Sequence, residues 1–465
     1  MFSFTPGRKI TLFVAGLFVL VAASGVRAQA CEAVGRDILL DLLNQTDLPA
    51  IATQYGLNPT PVDQVGTPPT YLMRLRDDNT QTPCDVVNSM EADARILQHE
   101  VNRNLSSVER PGLPWTQGRS WAIGRSWAIG GSAKGYARQW FPWQIRLDQA
   151  HAISTGQNVR VAVLDTGIDL SHPAFAGRLV PGYDFVDNDN DPSEVGVLRQ
   201  DPAYGHGTHV AGIIALTAPD AKIMPIRVLD RNGEGQLWKI ARAILWAADP
   251  DGNPNTPDGA QIINMSFGYP PDVVQSIRRN RFLHDLMGGC DGVPVPGEQT
   301  FGEKTVLFVA AAGNGGNSTP VFPAAERAES VSNIIGVGAT TRLDRLALFS
   351  TMAAGDSGGD RWVRNVAPGD EIVSAIPGGR YGMWSGTSMA APIVAGIAAL
   401  VLSHDPTIIT PAALASRLDD TGFDWRCRNG SGPRPYAFRT SRVDAFCALT
   451  NLQACGQPED VCPQP

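Results

Sequence analysis

Four short segments of the chain carry polar side chains suited to hydrolysis, and each is flanked by glycine. Asp165 follows an apolar run and precedes Thr-Gly, and His206 begins the segment His-Gly-Thr-His-Val-Ala-Gly. Asn314 lies between Gly313 and another glycine, and Ser388 stands in Gly-Thr-Ser-Met-Ala-Ala-Pro. An aspartate, a histidine and a serine are the groups of a nucleophilic triad, and an amide can donate to an oxyanion.

The expected chemistry is acyl transfer. Ser388 attacks a carbonyl, His206 takes the serine proton and returns it to the leaving group, and Asp165 fixes the imidazole tautomer. Asn314 and the Ser388 N–H stabilise the oxyanion, because Ser388 is predicted in the first turn of an apolar helix. Taken singly, the four residues also suit a turn, a helix cap or an Asn-Gly turn. Their combination is what carries the prediction.

The two histidines of the second segment raise a metal-site alternative. His206 and His209 are three residues apart, but no glutamate lies between them and no further histidine or cysteine is nearby to complete a zinc site. We therefore interpret His206 as a base and His209 as a buried, hydrogen-bonded support.

The elements that position these residues alternate along the chain. Apolar runs at 159–164, 221–229, 261–265 and 306–311 are predicted strands, followed by glycine-rich turns and helical stretches such as 238–248. Buried strands separated by helices predict an α/β fold, with a parallel sheet flanked by helices on both faces. The polar segments then fall at the carboxyl ends of the strands, where such sheets place their sites.

The three segments around Asp165, His206 and Ser388 together resemble those of the subtilisin-like serine peptidases (subtilases), over roughly residues 140–449. The resemblance implies a seven-stranded parallel sheet, preceded by a small α+β propeptide domain. It implies a serine endopeptidase that cleaves polypeptide substrates through an acyl-enzyme. It also implies a zymogen whose own propeptide assists folding and inhibits until it is cut.

The resemblance also assigns substrate contacts. It implies that Asn314 is the oxyanion-hole residue. The strand that pairs with the substrate backbone is matched by Ser266, Phe267 and Gly268. A wall of the primary specificity pocket is matched by Ala311, Ala312 and Gly313. Pairing of an extended peptide with an edge strand is the binding mode that this implies.

No cofactor is needed for this chemistry, but calcium is a candidate structural ion. The strong calcium site of subtilisin is not expected, because Ala174 replaces its aspartate and the loop at 215–219 is shortened. A second loop resembles the calcium loop of thermitase-like members and carries the carboxylates of Asp184, Asp187, Asp189 and Asp191. Clustered carboxylates suit a hard cation, but a solvated acidic loop is the alternative.

The amino terminus predicts export. Arg8 and Lys9 precede an apolar run at 10–23, and small residues at 28–30 suit a signal peptidase. An uncleaved anchor is the alternative, but the run is shorter than the roughly twenty residues that span a bilayer. Cys31 raises a lipid-anchored alternative, which Ala28 and Gln29 do not suit. A secreted, extracellular protein without a membrane segment is expected.

Export permits disulfides among the seven cysteines. The expected pairs are Cys31 with Cys84, Cys427 with Cys447, and Cys455 with Cys462, which leaves Cys290. A zinc site is the alternative for the four carboxy-terminal cysteines, but their spacing is irregular and no histidine lies among them.

Five regions are predicted along the chain: a signal peptide (1–30), a propeptide domain (31–110), a Gly/Trp-rich linker with the processing site (111–143), the catalytic domain (144–449) and a cysteine-bearing tail (450–465). Within the second region, 70–76 alternates like a strand and 86–97 has helical spacing. The linker repeats Arg-Ser-Trp-Ala-Ile-Gly at 119–124 and 125–130. It is either a duplicated linker or a segment that docks in a groove before it is cut.

Composition limits the remaining classes. The 465 residues are 43% hydrophobic and 18% charged, which suits a chain with a large core rather than a disordered one. The net charge of −8 disfavours a general nucleic-acid binder. The protein is expected to be a monomer. A non-catalytic binding module would lack one of the catalytic groups, and none is missing. A secreted esterase would place its serine in Gly-x-Ser-x-Gly, which Met389 and Ala390 do not match.

Overall fold

The structure is a computed structural model. It describes residues 33–66, 68–107, 116–117, 128–253, 255–268, 282–288, 306–329, 332–352, 362–408, 410–424 and 441–452. The predicted signal peptide, most of the repeated hexapeptide and five of the seven cysteines lie outside these residues. Cys84 and Cys447 are each disulfide-bonded, but their predicted partners are not among the described residues, so the pairing stays a prediction.

The strands of the described residues are, in chain order, β1 (Ala33–Leu42), β2 (Asp63–Val65), β3 (Thr70–Arg74), β4 (Ile96–Ser107), β5 (Thr116–Gln117), β6 (Ala128–Gly131), β7 (Arg160–Asp165), β8 (Tyr183–Asp184), β9 (Lys222–Arg227), β10 (Glu234–Gln236), β11 (Ile262–Met265), β12 (Phe267–Gly268), β13 (Leu307–Ala311), β14 (Ile334–Thr340), β15 (Val363–Pro368), β16 (Ile372–Ile376), β17 (Arg380–Trp384), β18 (Phe423–Asp424) and β19 (Ser441–Arg442).

The α-helices are α1 (Leu48–Gln54), α2 (Pro83–Ser89), α3 (Ala133–Ala137), α4 (Phe141–Gln144), α5 (Leu147–His151), α6 (His206–Thr217), α7 (Leu237–Ala248), α8 (Phe282–Gly288), α9 (Thr387–His404), α10 (Pro411–Asp420) and α11 (Ala445–Thr450). Short 3-10 helices cover Gln45–Asp47, Pro173–Phe175 and Ala324–Glu329.

The central sheet has the order β18-β19-β15-β14-β13-β11-β7-β9-β8, and every pair except β18 with β19 is parallel. Successive residues of β7 face opposite sides: Val161 and Val163 pack with α6 and α9, whereas Ala162 and Leu164 pack with α7. A strand buried on both faces must be apolar throughout, which explains the continuous runs in the sequence. The predicted α/β class and its four strands are confirmed, and among the described residues the sheet has nine strands rather than the expected seven.

An amino-terminal sheet is built from antiparallel strands in the order β4-β1-β3-β2, and α1 and α2 contribute to a separate hydrophobic cluster on it. The expected strand at 70–76 is confirmed as β3. The helix predicted from the spacing at 86–97 is wrong beyond Ser89, because the chain turns at Met90 and β4 begins at Ile96. The apolar residues at its far end therefore belong to a strand.

A third sheet is the β16–β17 hairpin extended by β6 and β5. The segment after β6 is held to this hairpin and to α6. The Tyr136 hydroxyl donates to the Gly212 carbonyl at 2.6 Å, and the Gln139 amide exchanges two hydrogen bonds with the Val373 backbone, at 2.7 and 2.9 Å. Residues 131–139 are thus packed against the elements that carry the polar segments.

Candidate active site

His206 and Asp165 form a buried pair at the carboxyl end of β7. The Asp165 Oδ1 atom lies 2.6 Å from His206 Nδ1, and both side chains are fully buried. The Thr166 N–H also donates to Asp165 Oδ1, at 2.8 Å. His206 is the first residue of α6, so a strand end and a helix start meet at this contact. A carboxylate on Nδ1 leaves Nε2 as the nitrogen that faces a reacting group.

Trp384, at the end of β17, stacks on the histidine pair. Its ring lies 4.2 Å from the His209 ring at an interplanar angle of 4°, and 6.4 Å from the His206 ring. His209 Nε2 lies 3.3 Å from the Gly382 carbonyl. Burial lowers the pKa of His209 to about 3, with a further contribution from His206, so His209 is neutral. His209 is thus the buried, hydrogen-bonded support that was expected.

Ser388 is the second residue of α9 and is fully buried. Its hydroxyl donates to the Ser266 carbonyl at 3.3 Å, and the Ser266 hydroxyl donates to the Ser388 carbonyl at the same distance. The nucleophile candidate therefore lies directly beside the start of the predicted substrate strand. Because α9 begins at Thr387, its first backbone N–H groups and positive dipole end are close to the Ser388 hydroxyl.

Asn314 is held against the same helix start. Its Oδ1 accepts hydrogen bonds from the Thr387 N–H at 2.9 Å and from the Thr387 hydroxyl at 3.1 Å. The Gly313 N–H in turn donates to the Thr387 hydroxyl at 3.0 Å. Since the Thr387 N–H can only donate, it fixes which end of the Asn314 amide is oxygen and leaves the NH2 end as the donor.

The predicted substrate strand is already paired with another part of the chain. Phe267 and Gly268 form β12, which runs antiparallel to the end of β4, with Phe267 opposite Ser107 and Gly268 opposite Ser106. On the other side of β4, β10 pairs in the same antiparallel sense. The last residues of β4 therefore form the middle strand between β10 and β12. We call the channel between β10 and β12, which β4 fills, the groove.

The β10 side of this groove was missed by the sequence reasoning. The Ser107 N–H donates to the Gly233 carbonyl at 2.8 Å, and a Cβ at Gly233 would lie 2.7 Å from the Ser107 hydroxyl. The only signal was a Gly-Glu-Gly tripeptide before an apolar helix, which also suits an ordinary turn. The predicted pocket wall, Ala311 and Ala312, is fully buried at the end of β13.

The acidic loop at 184–191 forms ion pairs with the guanidinium of Arg227. Asp184 is buried and pairs with Arg227 at 2.5 Å, and Asp187 pairs with the same guanidinium nitrogen. Asp189 and Asp191 accept backbone N–H groups within the loop. Among the described residues, these four carboxylates do not converge as a ligand set, whereas Asp249, Asp251 and Asp258 do. Arg227 occupies the place of a cation beside Asp184 and Asp187, so a calcium ion at this loop would have to displace it.

Comparison with known proteins places this site in context. The model of the subtilase family matches residues 156–435. A thermophilic serine proteinase of Bacillus sp. (strain AK1) is 40% identical over 329 residues, which covers 68% of each chain. Thermitase of Thermoactinomyces vulgaris is 35% identical over 303 residues, or 62% of this chain and 92% of that protein. The crystal structure of a cold adapted subtilisin-like serine proteinase is 29% identical, with a TM-score of 0.45 over 63% of this chain and 90% of that one.

Proposed function

The chain belongs to the subtilase family of serine peptidases, and on that premise we propose that it cleaves polypeptides with Ser388, His206 and Asp165 as its triad. The observation that carries this proposal is the 2.6 Å contact between two fully buried groups, Asp165 and His206, beside the Ser388 helix. A buried carboxylate on Nδ1 orients the imidazole and stabilises the imidazolium that forms in the transition state.

The proposed reaction follows from these contacts. The Ser388 hydroxyl leaves the Ser266 carbonyl, attacks the substrate carbonyl and gives its proton to His206 Nε2. The oxyanion is stabilised by the Asn314 amide and the Ser388 N–H. His206 then protonates the leaving amine, and the acyl-enzyme is hydrolysed by a water molecule that His206 deprotonates.

One comparison tests the triad and separates it from the alternatives. Wild-type protein and Ser388→Ala are assayed on casein and on a small ester. We expect the wild type to cleave casein, and the variant to lose that activity by several orders of magnitude. Equal casein cleavage by both would overturn the mechanism. Cleavage of the ester but not of casein by the wild type would indicate an esterase. Inactivity of the wild type and the variant on both substrates would indicate a binding module.

We also propose that the protein is made as a zymogen, with the predicted domain at 31–110 as the propeptide. The support is the groove, where the end of β4 pairs on both sides as a substrate chain would. Ser107, the last described residue of β4, lies opposite Phe267, and Phe267 follows Ser266, whose carbonyl contacts the nucleophile. We therefore propose that self-cleavage takes place shortly after Ser107.

The mature enzyme is proposed to keep residues 128 onward. β6 pairs with β17, which ends at Trp384, and Tyr136 and Gln139 bind the body of the molecule. Loss of this segment would expose buried groups, so the catalytic domain is proposed to begin near residue 128 rather than 144. Amino-terminal sequencing and the intact mass of the active enzyme test both boundaries. A mature chain starting at Cys31 would refute the zymogen proposal.

Secretion after signal cleavage at Ala30, a monomeric state and a structural calcium ion complete the proposal. The first rests on the export pattern at 1–30. Calcium is supported by the four carboxylates at 184–191 and opposed by Arg227, which already neutralises two of them. Activity in culture medium, mass in solution and melting with a chelator test the three parts separately.

A further inference from the structure

Glu194 is a titratable group beside the triad that the proposed reaction does not use. Its Oε2 accepts hydrogen bonds from the Thr208 hydroxyl at 2.9 Å and from the Thr208 N–H at 3.2 Å. Its backbone N–H donates to the Ile168 carbonyl at 3.1 Å, and the Ile168 N–H donates to Pro192. Glu194 thus joins the segment after Asp165 to the helix that begins with His206.

On the helix side, Glu194 replaces a missing cap. The residue before α6 is Gly205, which has no side chain to accept the first helical N–H groups. The Thr208 N–H is the third of the helix, and this is the donor that an N-cap side chain normally satisfies. A carboxylate at this position also interacts favourably with the positive end of the helix dipole. Glu194 therefore fixes the first turn of α6, where His206 sits.

On the strand side, the loop that carries Glu194 is in direct contact with the Asp165 turn. Gly167 has a φ of +106°, and a Cβ there would lie 2.6 Å from the Ser193 carbonyl oxygen. The Gly207 N–H donates to the Thr166 hydroxyl at 2.9 Å, so the Asp165 turn and the first turn of α6 are also bonded directly. The loop at 192–194 therefore contacts both the Asp165 turn and the first turn of α6, and these two also contact each other.

The electrostatic setting gives Glu194 a charge that changes near neutral pH. Burial raises the pKa of Glu194 to about 7, against the hydrogen bonds from Thr166 and Thr208, and the charge of Asp165 raises it further. The other ionisable groups that face this region are His206, Asp169, Tyr204 and Arg380; the Asp169 N–H binds the Thr208 hydroxyl, and Tyr204 lies in the fields of Arg380 and Glu194.

We propose that Glu194 is a positioning residue for the Asp165–His206 pair. It holds the His206 helix against the Asp165 turn, and in its charged form it adds a second negative charge that favours the imidazolium. The inference rests on the proposed triad, because it acts through His206. Its effect belongs to proton transfer and not to substrate binding, since its contacts are with the Asp165 turn and α6 rather than with the groove strands.

The test is Glu194→Gln in the full-length protein, after self-processing. Glutamine keeps an oxygen that can accept from Thr208, so the helix cap is retained while the charge is removed. We expect kcat per active site to fall about two- to tenfold, with KM within about twofold of the wild type. The acid limb of the kcat/KM pH profile should move to lower pH by roughly 0.3–1 unit, because the imidazolium loses a favourable charge.

Active sites are counted by titration with a fluorophosphonate, so that misfolded protein does not affect the rates. Asp148→Asn, which removes an exposed carboxylate from α5, is the matched control and should leave the profile unchanged. Glu194→Ala, which loses the cap as well, should show the same shift with a lower melting temperature.

An unshifted acid limb with wild-type kcat per site in Glu194→Gln would overturn the inference. A lower number of active sites with an unshifted limb would assign Glu194 a structural role only and would overturn it too. Activity remaining in Ser388→Ala would instead refute the proposed triad, so the two failures are distinguishable.

Discussion

Asn314 is expected to depend on Thr387 for its catalytic effect, and this dependence can be measured. Asn314→Ala removes the proposed oxyanion donor, and loss of one such donor typically lowers kcat about 10²- to 10³-fold, or about 3–4 kcal/mol. KM should change little, because the donor acts on the charge that develops in the transition state.

Thr387→Val provides the second perturbation. It removes the hydroxyl that binds Asn314 Oδ1 at 3.1 Å and accepts the Gly313 N–H at 3.0 Å, and it keeps the Thr387 N–H bond to Asn314 at 2.9 Å. Two hydrogen bonds of about 0.5–1.5 kcal/mol each are lost. One bond still orients the amide, so we expect kcat to fall only about three- to thirtyfold.

A double-mutant cycle joins the two variants. Single-turnover acylation of a peptide ester, normalised by fluorophosphonate titration, gives the rate for the wild type, both single variants and the double variant. If Thr387 acts by orienting Asn314, the double variant is no slower than Asn314→Ala, and the coupling energy equals the whole effect of Thr387→Val. Additive losses would refute this reasoning, as would an unchanged kcat in Asn314→Ala.

Three further outcomes are expected. Tyr136→Phe removes the buried bond to the Gly212 carbonyl and should lower the free energy of unfolding by about 1–2 kcal/mol, measured by denaturant titration. Burial raises the pKa of Glu100 from 4.5 to about 7, so this group binds a proton in the folded zymogen that an exposed glutamate would release. The free energy of unfolding of the Ser388→Ala zymogen should therefore decrease as the pH rises from 4.5 to 7. Glu100→Gln should flatten this pH dependence in melting scans. Millimolar calcium should raise the melting temperature of Arg227→Ala more than that of the wild type, because the variant leaves two unneutralised carboxylates; an equal effect would count against a calcium site at 184–191.

The sequence was informative where a local rule decides the structure. Strand β7 is apolar throughout because both of its faces are buried, and Asp165 ends it where a parallel sheet carries its site. Ser388 could be assigned to a helix start from the apolar run that follows it. The Asp165 segment could therefore be assigned to a strand end and the Ser388 segment to a helix start from the sequence alone.

Contacts that depend on register or on distant loops could not be predicted in this way. Gly233 and Ser107 meet only because β4 inserts between β10 and β12, and no local pattern encodes that insertion. Glu194 caps a helix that begins twelve residues later, so its spacing matches no capping motif. The helical spacing at 86–97 failed because apolar residues of a short helix and of the next strand happened to fall in phase.

In the proposed zymogen, the groove also accounts for how a single cut would release the enzyme from inhibition. Its bonds to β4 are main-chain bonds, which any extended peptide can make, so they do not by themselves favour the chain's own strand over a substrate. In the proposed zymogen, two features favour it. Leu105 is fully buried in one hydrophobic cluster with Leu229 and Phe267, and covalent attachment makes the association intramolecular. The proposed cleavage beyond Ser107 would remove the second feature and leave the first, so the propeptide would become a ligand that dilution, competing substrate or proteolysis can displace.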